Sequence, residues 1–424
     1  MKSVITCDLE GKILTMNKGA ENLFGYSKEE LINKKRVSLF SPGEIVLQNV
    51  ADWLSIAVEK GEYIGETIFI NKKKEKINAK IKITPTFKNG KDGEHVGYCG
   101  VTETIEKNVS VKINTSTKLI KWLAITRLPF TSASLLPIFV VASYFAYSGD
   151  NLINIPSLIL CSIGILFAHI GTNMYNDFFD NLDGTDEENN EYFQQLSGGS
   201  RAIELGLITL EKTKNYALIF ILISLIMGIL ILLNTSIFNV IGILTISTIG
   251  LFLGYFYTAP PLRLVSRKGL GELSIFLAFG PLLTLGTGFA ILNGEMSSVH
   301  ITNCILLGLP IGFLTTNILL INQFPDMSSD AKSKKNHLVV VFGKKKSRSI
   351  YATILSMTFL SSLLISIKLK LLALIPTFVV LIFGGFITNY IYKYYENRKL
   401  IKANWNTIIL HALYCILLII TLII

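Results

Sequence analysis

Asn173-Met174-Tyr175-Asn176-Asp177-Phe178-Phe179-Asp180, followed by Asp183-Gly184-Thr185-Asp186, and Asn322-Gln323-Phe324-Pro325-Asp326-Met327-Ser328-Ser329-Asp330 are two acidic stretches in an otherwise apolar chain. Each closes a long apolar run. In each, an Asn precedes the first Asp by four positions. A helix therefore brings Asn173, Asp177 and Asp180 to one face, and Asn322, Asp326 and Asp330 to another. Carboxylates at the edge of an apolar zone are costly unless they are paired or metal-bound. Asp and Asn clustered without His or Cys are hard oxygen ligands, suited to Mg²⁺ held together with substrate phosphates. The plainer reading, that these acids only cap helix ends in water, would serve one motif. Two matching motifs four spans apart point instead to an internal repeat with a shared site between its halves.

Outward from the motifs, apolar runs of about 20 residues recur from Lys118 onward, each long enough to cross a bilayer. The expected spans are 122–147, 154–176, 214–234, 236–257, 271–293, 299–323, 349–367, 371–392 and 405–424, an all-α polytopic domain of nine transmembrane helices. Of 424 residues, 50% are hydrophobic and only 17% charged, and the mean hydropathy is +0.49. The net charge of +10 lies mostly in loops on one membrane side. These loops hold Arg201, Arg263, Lys335 and Lys345; the opposite side holds only Lys368 and Lys370. The asymmetry places the first group and the N-terminus in the cytoplasm, with Ile424 outside, and explains the charge without nucleic acid. The five cysteines are scattered without metal or disulfide spacing, and no signal-peptide apolar region is visible in the first 30 residues. A transporter would place its acids at midplane, whereas these sit at span ends.

Residues 1–107 read as a small soluble α+β domain, and 108–120 as a polar linker to the membrane domain at 121–424. Ser3–Cys7 and Ile13–Met16 alternate like two strands around a Gly-containing turn. A helical stretch, Lys18–Tyr26, precedes the capping box Ser27-Lys28-Glu29-Glu30, and three strands follow within 63–104. Asp8-Leu9-Glu10-Gly11-Lys12-Ile13 and Asn17 to Leu31, with its Phe24-Gly25-Tyr26-Ser27 segment, resemble a PAS domain. That resemblance implies a small-ligand sensor or a homodimerisation module. Its ligand is unknown: no flavin-type Cys is suitably placed, and His95 reads as a surface residue.

The membrane domain resembles the UbiA superfamily of intramembrane prenyltransferases. Besides the two Asp motifs, the resemblance rests on Arg127-Leu128-Pro129, Tyr257-Thr258-Ala259-Pro260-Pro261-Leu262-Arg263-Leu264, Gly269-Leu270-Gly271-Glu272, and Lys335 through Gly343. Asp-x-x-Asp, then Gly184-Thr185-Asp186, then Ser197-Gly198-Gly199-Ser200-Arg201, is similar to the menaquinone branch. That implies a prenyl diphosphate donor and 1,4-dihydroxy-2-naphthoate as acceptor, with 4-hydroxybenzoate or homogentisate as alternatives within the family and a non-catalytic sensor or transporter as the alternative outside it. By resemblance, two Mg²⁺ ions are expected, one on Asp177, Asp180 and Asp186, the other on Asp326 and Asp330, with Asn173 and Asn322 assisting. Lys335 with Arg201 or Arg263 would contact diphosphate, Arg127 would orient diphosphate or acceptor, and Tyr175, Phe178 and Tyr257 offer π-faces to the allylic cation. The prenyl tail would lie in an apolar groove open to membrane lipid. Ala331-Lys332-Ser333-Lys334 departs from the acidic residue and Gly usual at that place.

Overall fold

The computed structural model describes residues 2–90, 93–149, 153–184 and 199–424. It divides into two compact units, Met1–Ile125 with Arg201–Thr209, and Thr126–Ser200 with Leu210–Ile424.

In the first unit, β1 (Ser3–Asp8) and β2 (Ile13–Met16) form the expected hairpin. Its turn is set by Asp8, whose Oδ1 accepts the N–H groups of Glu10 and Lys12, both at 2.9 Å. With β3 (Tyr63–Ile70), β4 (Lys76–Phe87) and β5 (His95–Thr104) they make an antiparallel sheet in the order β2-β1-β5-β4-β3. Ser3, Ile5 and Cys7 alternate inward along β1, the period-2 pattern of a half-buried strand. Asn17 caps α1 (Lys18–Phe24) by accepting from the Ala20 N–H, and Gly25 ends it at φ 76°. Glu30 of α2 (Lys28–Leu31) accepts from the Ser27 N–H at 2.9 Å. The following stretch, for which no element was expected, supplies the core lid. Phe40 stacks on Phe24 at 4.1 Å between centroids, and Trp53 of α3 (Ala51–Lys60) stacks on Tyr63 at 5.4 Å. His95 lies edge-on to Tyr98 in the sheet.

The linker becomes helical as α4 (Thr115–Thr126) and is tied to this unit. Gln48 Oε1 accepts from the Asn114 N–H at 2.8 Å and the Thr117 hydroxyl at 2.9 Å, and Glu44 pairs with Lys121 at 2.7 Å. Arg201–Thr209 also packs here: a Cβ added at Gly43 would come 2.3 Å from the Leu205 carbonyl oxygen and 2.6 Å from the Leu207 side chain.

The second unit holds, among the described residues, nine helices long and apolar enough to cross a membrane. They are α5 (Ser132–Tyr147), α6 (Ile155–Leu182), α7 (Leu210–Leu232), α8 (Ile237–Phe256), α9 (Leu270–Phe279) continued by α10 (Pro281–Ile291), α11 (Ser298–Lys332), α12 (Leu338–Lys368), α13 (Leu374–Tyr394) and α14 (Ile401–Ile423). The protein is integral to a membrane. The apolar window of α11 is 78% buried, against 11% for those of α7 and α8, so α11 is the central post and the other two face lipid. Where α9 gives way to α10, a Cβ on Gly280 would lie 2.6 Å from the Gly308 carbonyl and 2.8 Å from the Gly312 Cα. Only glycine lets the backbones approach so closely. Some buried hydroxyls pair between spans, as Tyr351 does with Thr407 at 2.8 Å.

Four span boundaries differ notably from the sequence expectation. The first span starts at Leu128, not 122, because Arg127 adopts φ 50° and breaks the helix. The second and sixth spans run on to Leu182 and Lys332, so both Asp motifs are helical. The seventh starts at Leu338, not 349, and turns at Gly343, φ 73°.

Candidate active site

Both motifs sit on the last turns of long helices, and both are largely buried. Asp177, Asp326 and Asp330 expose less than a tenth of their surface. Asp177 accepts the Ser200 backbone N–H at 3.2 Å. Asp180 Oδ1 lies 2.7 Å from Lys335 Nζ, which joins the first motif to the loop after the second. Asp183 pairs with Arg263 at 2.6 Å. In the second motif, Asp330 Oδ2 lies 2.9 Å from His337 Nε2, and Asn322 Oδ1 accepts from Asn404 Nδ2 at 2.8 Å.

Glu272 ties the loops together. Its Oε1 accepts from Gln323 Nε2 at 3.1 Å and from the Leu338 N–H at 2.9 Å. The Tyr257–Arg263 loop is anchored similarly: Thr258 donates to Asn176 Oδ1 at 2.8 Å, and the Lys268 N–H to the Asn336 carbonyl at 2.8 Å. Arg127 stacks over Phe130, 5.0 Å from the ring centroid, and its charge acts on both Asp177 and Tyr257.

The donor set fits Mg²⁺ bound with a diphosphate. Every motif ligand is an oxygen donor, and the cations Lys335 and Arg263 already balance acids of the cluster. Among the described residues no three acidic, His or Cys side chains converge as a closed metal cage. Mg²⁺ ordinarily takes one or two carboxylates and completes its shell with phosphate oxygens and water. The Tyr257 hydroxyl and Asn173 Nδ2 are buried without a partner, and both can donate to phosphate oxygens.

Beneath the motifs lies an apolar cavity of about 400 Å³, lined by spans two through five and by Ser134 of the first. Its polar end carries Asn173, Asn176, Tyr257 and His169, and its far end Leu232, Leu244 and Ile229. That volume and mixture suit an amphiphilic ligand.

Of the residues singled out from sequence, Asn173, Asp177, Asp180, Tyr257, Arg263 and Lys335 come together around the first motif, and Asn322, Asp326 and Asp330 line the second helix end. Asp186 lies outside the described residues. Arg201 belongs to the first unit, where it pairs with Glu204. Tyr175 and Phe178 do not line the cavity. Tyr175 is two positions from Asn173 and turns to Phe179 and Tyr255, and Phe178 lies under Lys214. Sequence reasoning missed the partnerships of Glu272, His337 and Asn404. The first two stood inside quoted motifs, and Asn404 stands among Lys402, Asn406 and Thr407 at the start of the last span, with no signal that singles it out.

Nine candidate spans among the described residues, with two acidic helix ends above an apolar cavity, make an integral membrane protein with a pocket suited to an amphiphilic ligand. The model of the UbiA prenyltransferase family matches residues 134–420, and the chain belongs to that family; it is a prenyltransferase. A PAS domain model matches residues 2–103. The chain is 30% identical over 301 residues to the chloroplastic 2-carboxy-1,4-naphthoquinone phytyltransferase of Arabidopsis thaliana, covering 69% of this chain and 74% of that protein. It is 26% identical over 200 residues to the 1,4-dihydroxy-2-naphthoate octaprenyltransferase of Escherichia coli K12, covering 47% of this chain and 60% of that protein. A solved UbiA homolog from Archaeoglobus fulgidus, bound to DMAPP and Mg²⁺, shares the fold at a TM-score of 0.50 and 15% identity, over 70% of this chain and 99% of that one.

Proposed function

We propose that the protein transfers a polyprenyl group from an allylic diphosphate to 1,4-dihydroxy-2-naphthoate, in a Mg²⁺-dependent reaction of menaquinone formation. The observation that carries the reading is the pairing of two buried Asp motifs, joined through Lys335, above an apolar cavity. The names of the relatives support the acceptor.

Asp177 and Asp180, with Asp186, would hold one ion and Asp326 with Asp330 the other, Asn173 and Asn322 assisting. Bound there, Mg²⁺ supplies Lewis-acid neutralisation of the departing diphosphate. Lys335 acts as a point charge on the same oxygens, and Arg127 and Arg263 extend the positive rim. Arg201 is kept as a further diphosphate contact in the loop after the first motif. The Tyr257 hydroxyl and Asn173 amide donate to diphosphate oxygens. As the C1–O bond breaks, its electron pair leaves with diphosphate; the acceptor ring carbon bonds C1 and then sheds its own substituent, H⁺ from an unsubstituted carbon or CO2 from a carboxylated one, whose bonding pair restores the aromatic ring. The Tyr257 ring flanks the polar end of the cavity, where it can face the allylic carbon. The apolar walls keep water from that carbon and take the prenyl tail. The loops carrying the motifs are assigned to the cytoplasmic side of the cell membrane, on the charge asymmetry.

The PAS domain would modulate this site. Two tethers support that role: α4, held by Gln48 and Glu44 and leading to Arg127, and Arg201–Thr209, packed on Gly43. Chain continuity carries the second into Ser200, whose N–H reaches Asp177. Homodimerisation through the same domain is part of the proposal.

The test is a panel of acceptors (dihydroxynaphthoate, 4-hydroxybenzoate, homogentisate) offered to purified protein in lipid with one labelled prenyl diphosphate. Preferential labelling of dihydroxynaphthoate is expected. Labelling of another acceptor alone overturns the assignment, and labelling of none overturns the chemistry.

A further inference from the structure

The cavity's polar end holds one titratable side chain that the preceding roles leave unused. His169 lies on α6, on the face that carries Asn173 and Asp177, one and two turns further into the membrane. Eight residues of helix separate it from Asp177, a rise of about 12 Å, which leaves room between imidazole and carboxylates for a reacting carbon.

Its hydrogen bonds define its tautomer. Ser134 Oγ lies 3.0 Å from the Thr131 carbonyl oxygen and 2.8 Å from His169 Nδ1. A hydroxyl has one proton, and a carbonyl can only accept. With both bonds made, Ser134 donates to Thr131 and accepts from Nδ1–H, so in the neutral ring Nε2 carries the lone pair, an assignment made from the network. Phe279 packs edge-on against the ring at 5.1 Å and 75°, and holds its orientation. Nε2 has no protein partner among the described residues. The ring lines the cavity. Of the neighbouring polar groups, Asn176 Oδ1 is bonded to Thr258 and the Ser274 hydroxyl to the Leu270 carbonyl, while the Asn173 amide and the Tyr257 hydroxyl are the donors assigned above to diphosphate.

We infer that His169 orients the aromatic acceptor, its Nε2 accepting a hydrogen bond from a ring hydroxyl of a phenolic substrate in the cavity. This rests on the hydroxylated aromatic acceptor proposed above. The bond turns the ring so that the carbon next to the hydroxyl faces the allylic carbon. It also strengthens as the ring gives up electron density and its hydroxyl becomes more acidic. Ser134 is the positioning residue that keeps Nε2 unprotonated.

The test measures KM for acceptor and for prenyl diphosphate separately in wild type, His169→Leu, His169→Gln and Ser134→Ala, with dihydroxynaphthoate and with its mono-methyl ethers. Turnover by the wild type is the control: its failure sinks the proposed function and leaves nothing for His169 to orient. Given turnover, His169→Leu should raise the acceptor KM at least tenfold and leave the prenyl diphosphate KM within about twofold. His169→Gln, which can still accept a hydrogen bond, should recover part of the loss, and Ser134→Ala should fall between. One methyl ether should be penalised in the wild type and not in His169→Leu. Equal acceptor KM in wild type and His169→Leu overturns the inference. So does a parallel rise of both KM values, the mark of a structural role. Should His169→Leu fail to fold, an unchanged acceptor KM in both His169→Gln and Ser134→Ala overturns it as well.

Discussion

Lys335 and Asp180 join the loop after the sixth span to the last turn of the second, Nζ to Oδ1 at 2.7 Å. An ion pair this buried is weak evidence of net stability, since desolvation offsets most of the attraction. Its value lies in gathering the two acidic helix ends about one charge centre. Lys335→Met should therefore lower kcat/KM on the order of 10²-fold, as loss of other preorganised electrostatic groups does, in protein that still elutes as a folded particle. Steady-state kinetics in nanodiscs checks this. Activity within a few-fold of wild type would remove Lys335 from the site.

Asn404 offers a test of support from outside the motifs. It donates to Asn322 Oδ1 at 2.8 Å and to the Ile321 carbonyl at 3.2 Å. Groups that orient metal ligands typically matter by 10- to 100-fold in metal affinity. Asn404→Leu should raise the Mg²⁺ concentration for half-maximal activity about tenfold, with little change at saturating Mg²⁺. An unaltered Mg²⁺ titration would assign Asn404 to packing alone.

These two relationships mark where sequence reading stopped. The Asp motifs were legible because ionised groups at the end of an apolar run are exceptional, and because their Asn-to-Asp spacing repeats. The hairpin and the first two helices of the PAS domain were legible from alternation, the Gly-containing turn after Asp8 and the Ser27 capping box, whereas the Asn17 cap was not. The first span's start was not: Leu119, Ile120 and Trp122 continue the apolar pattern through α4, and only the backbone at Arg127 breaks it. The helix containing Trp53 was legible but passed over: Val50, Trp53, Leu54, Ala57 and Val58 recur at the spacing of one helical face. Glu272 with Gln323, and Asn404 with Asn322, are contacts between distant segments, which no local pattern encodes.

Orientation can be read by cysteine labelling of intact cells. The background from the PAS domain should be low, because burial pushes the Cys7 thiol up to about 11 and raises that of Cys99, so little reactive thiolate is present at neutral pH. A cysteine introduced at position 295, in the loop between the fifth and sixth spans, should react from outside, and one at position 190 should not. Outside labelling at 190 would reverse the assigned topology.

Regulation by the PAS domain has a point test in Gly43. A side chain there would strike the Leu205 carbonyl at 2.3 Å, so Gly43→Val must displace the segment that continues into Ser200. Coupling of ordinary strength would change kcat/KM about fivefold or more, and deletion of residues 1–107 should change it too. If both proteins keep wild-type kcat and KM, the domain is a tether or dimerisation module and nothing more.

In the proposed reaction, two acidic motifs acting with Mg²⁺ drive departure of diphosphate. Product formation from dihydroxynaphthoate and a labelled prenyl diphosphate, measured for wild type, Asp177→Asn and Asp326→Asn across a Mg²⁺ titration with an EDTA control, tests it most directly. The account predicts loss on the order of 10²-fold or more in each variant, no product in EDTA, and recovery of the wild type on adding Mg²⁺. Near-normal turnover in either variant, or full activity in EDTA, would contradict it.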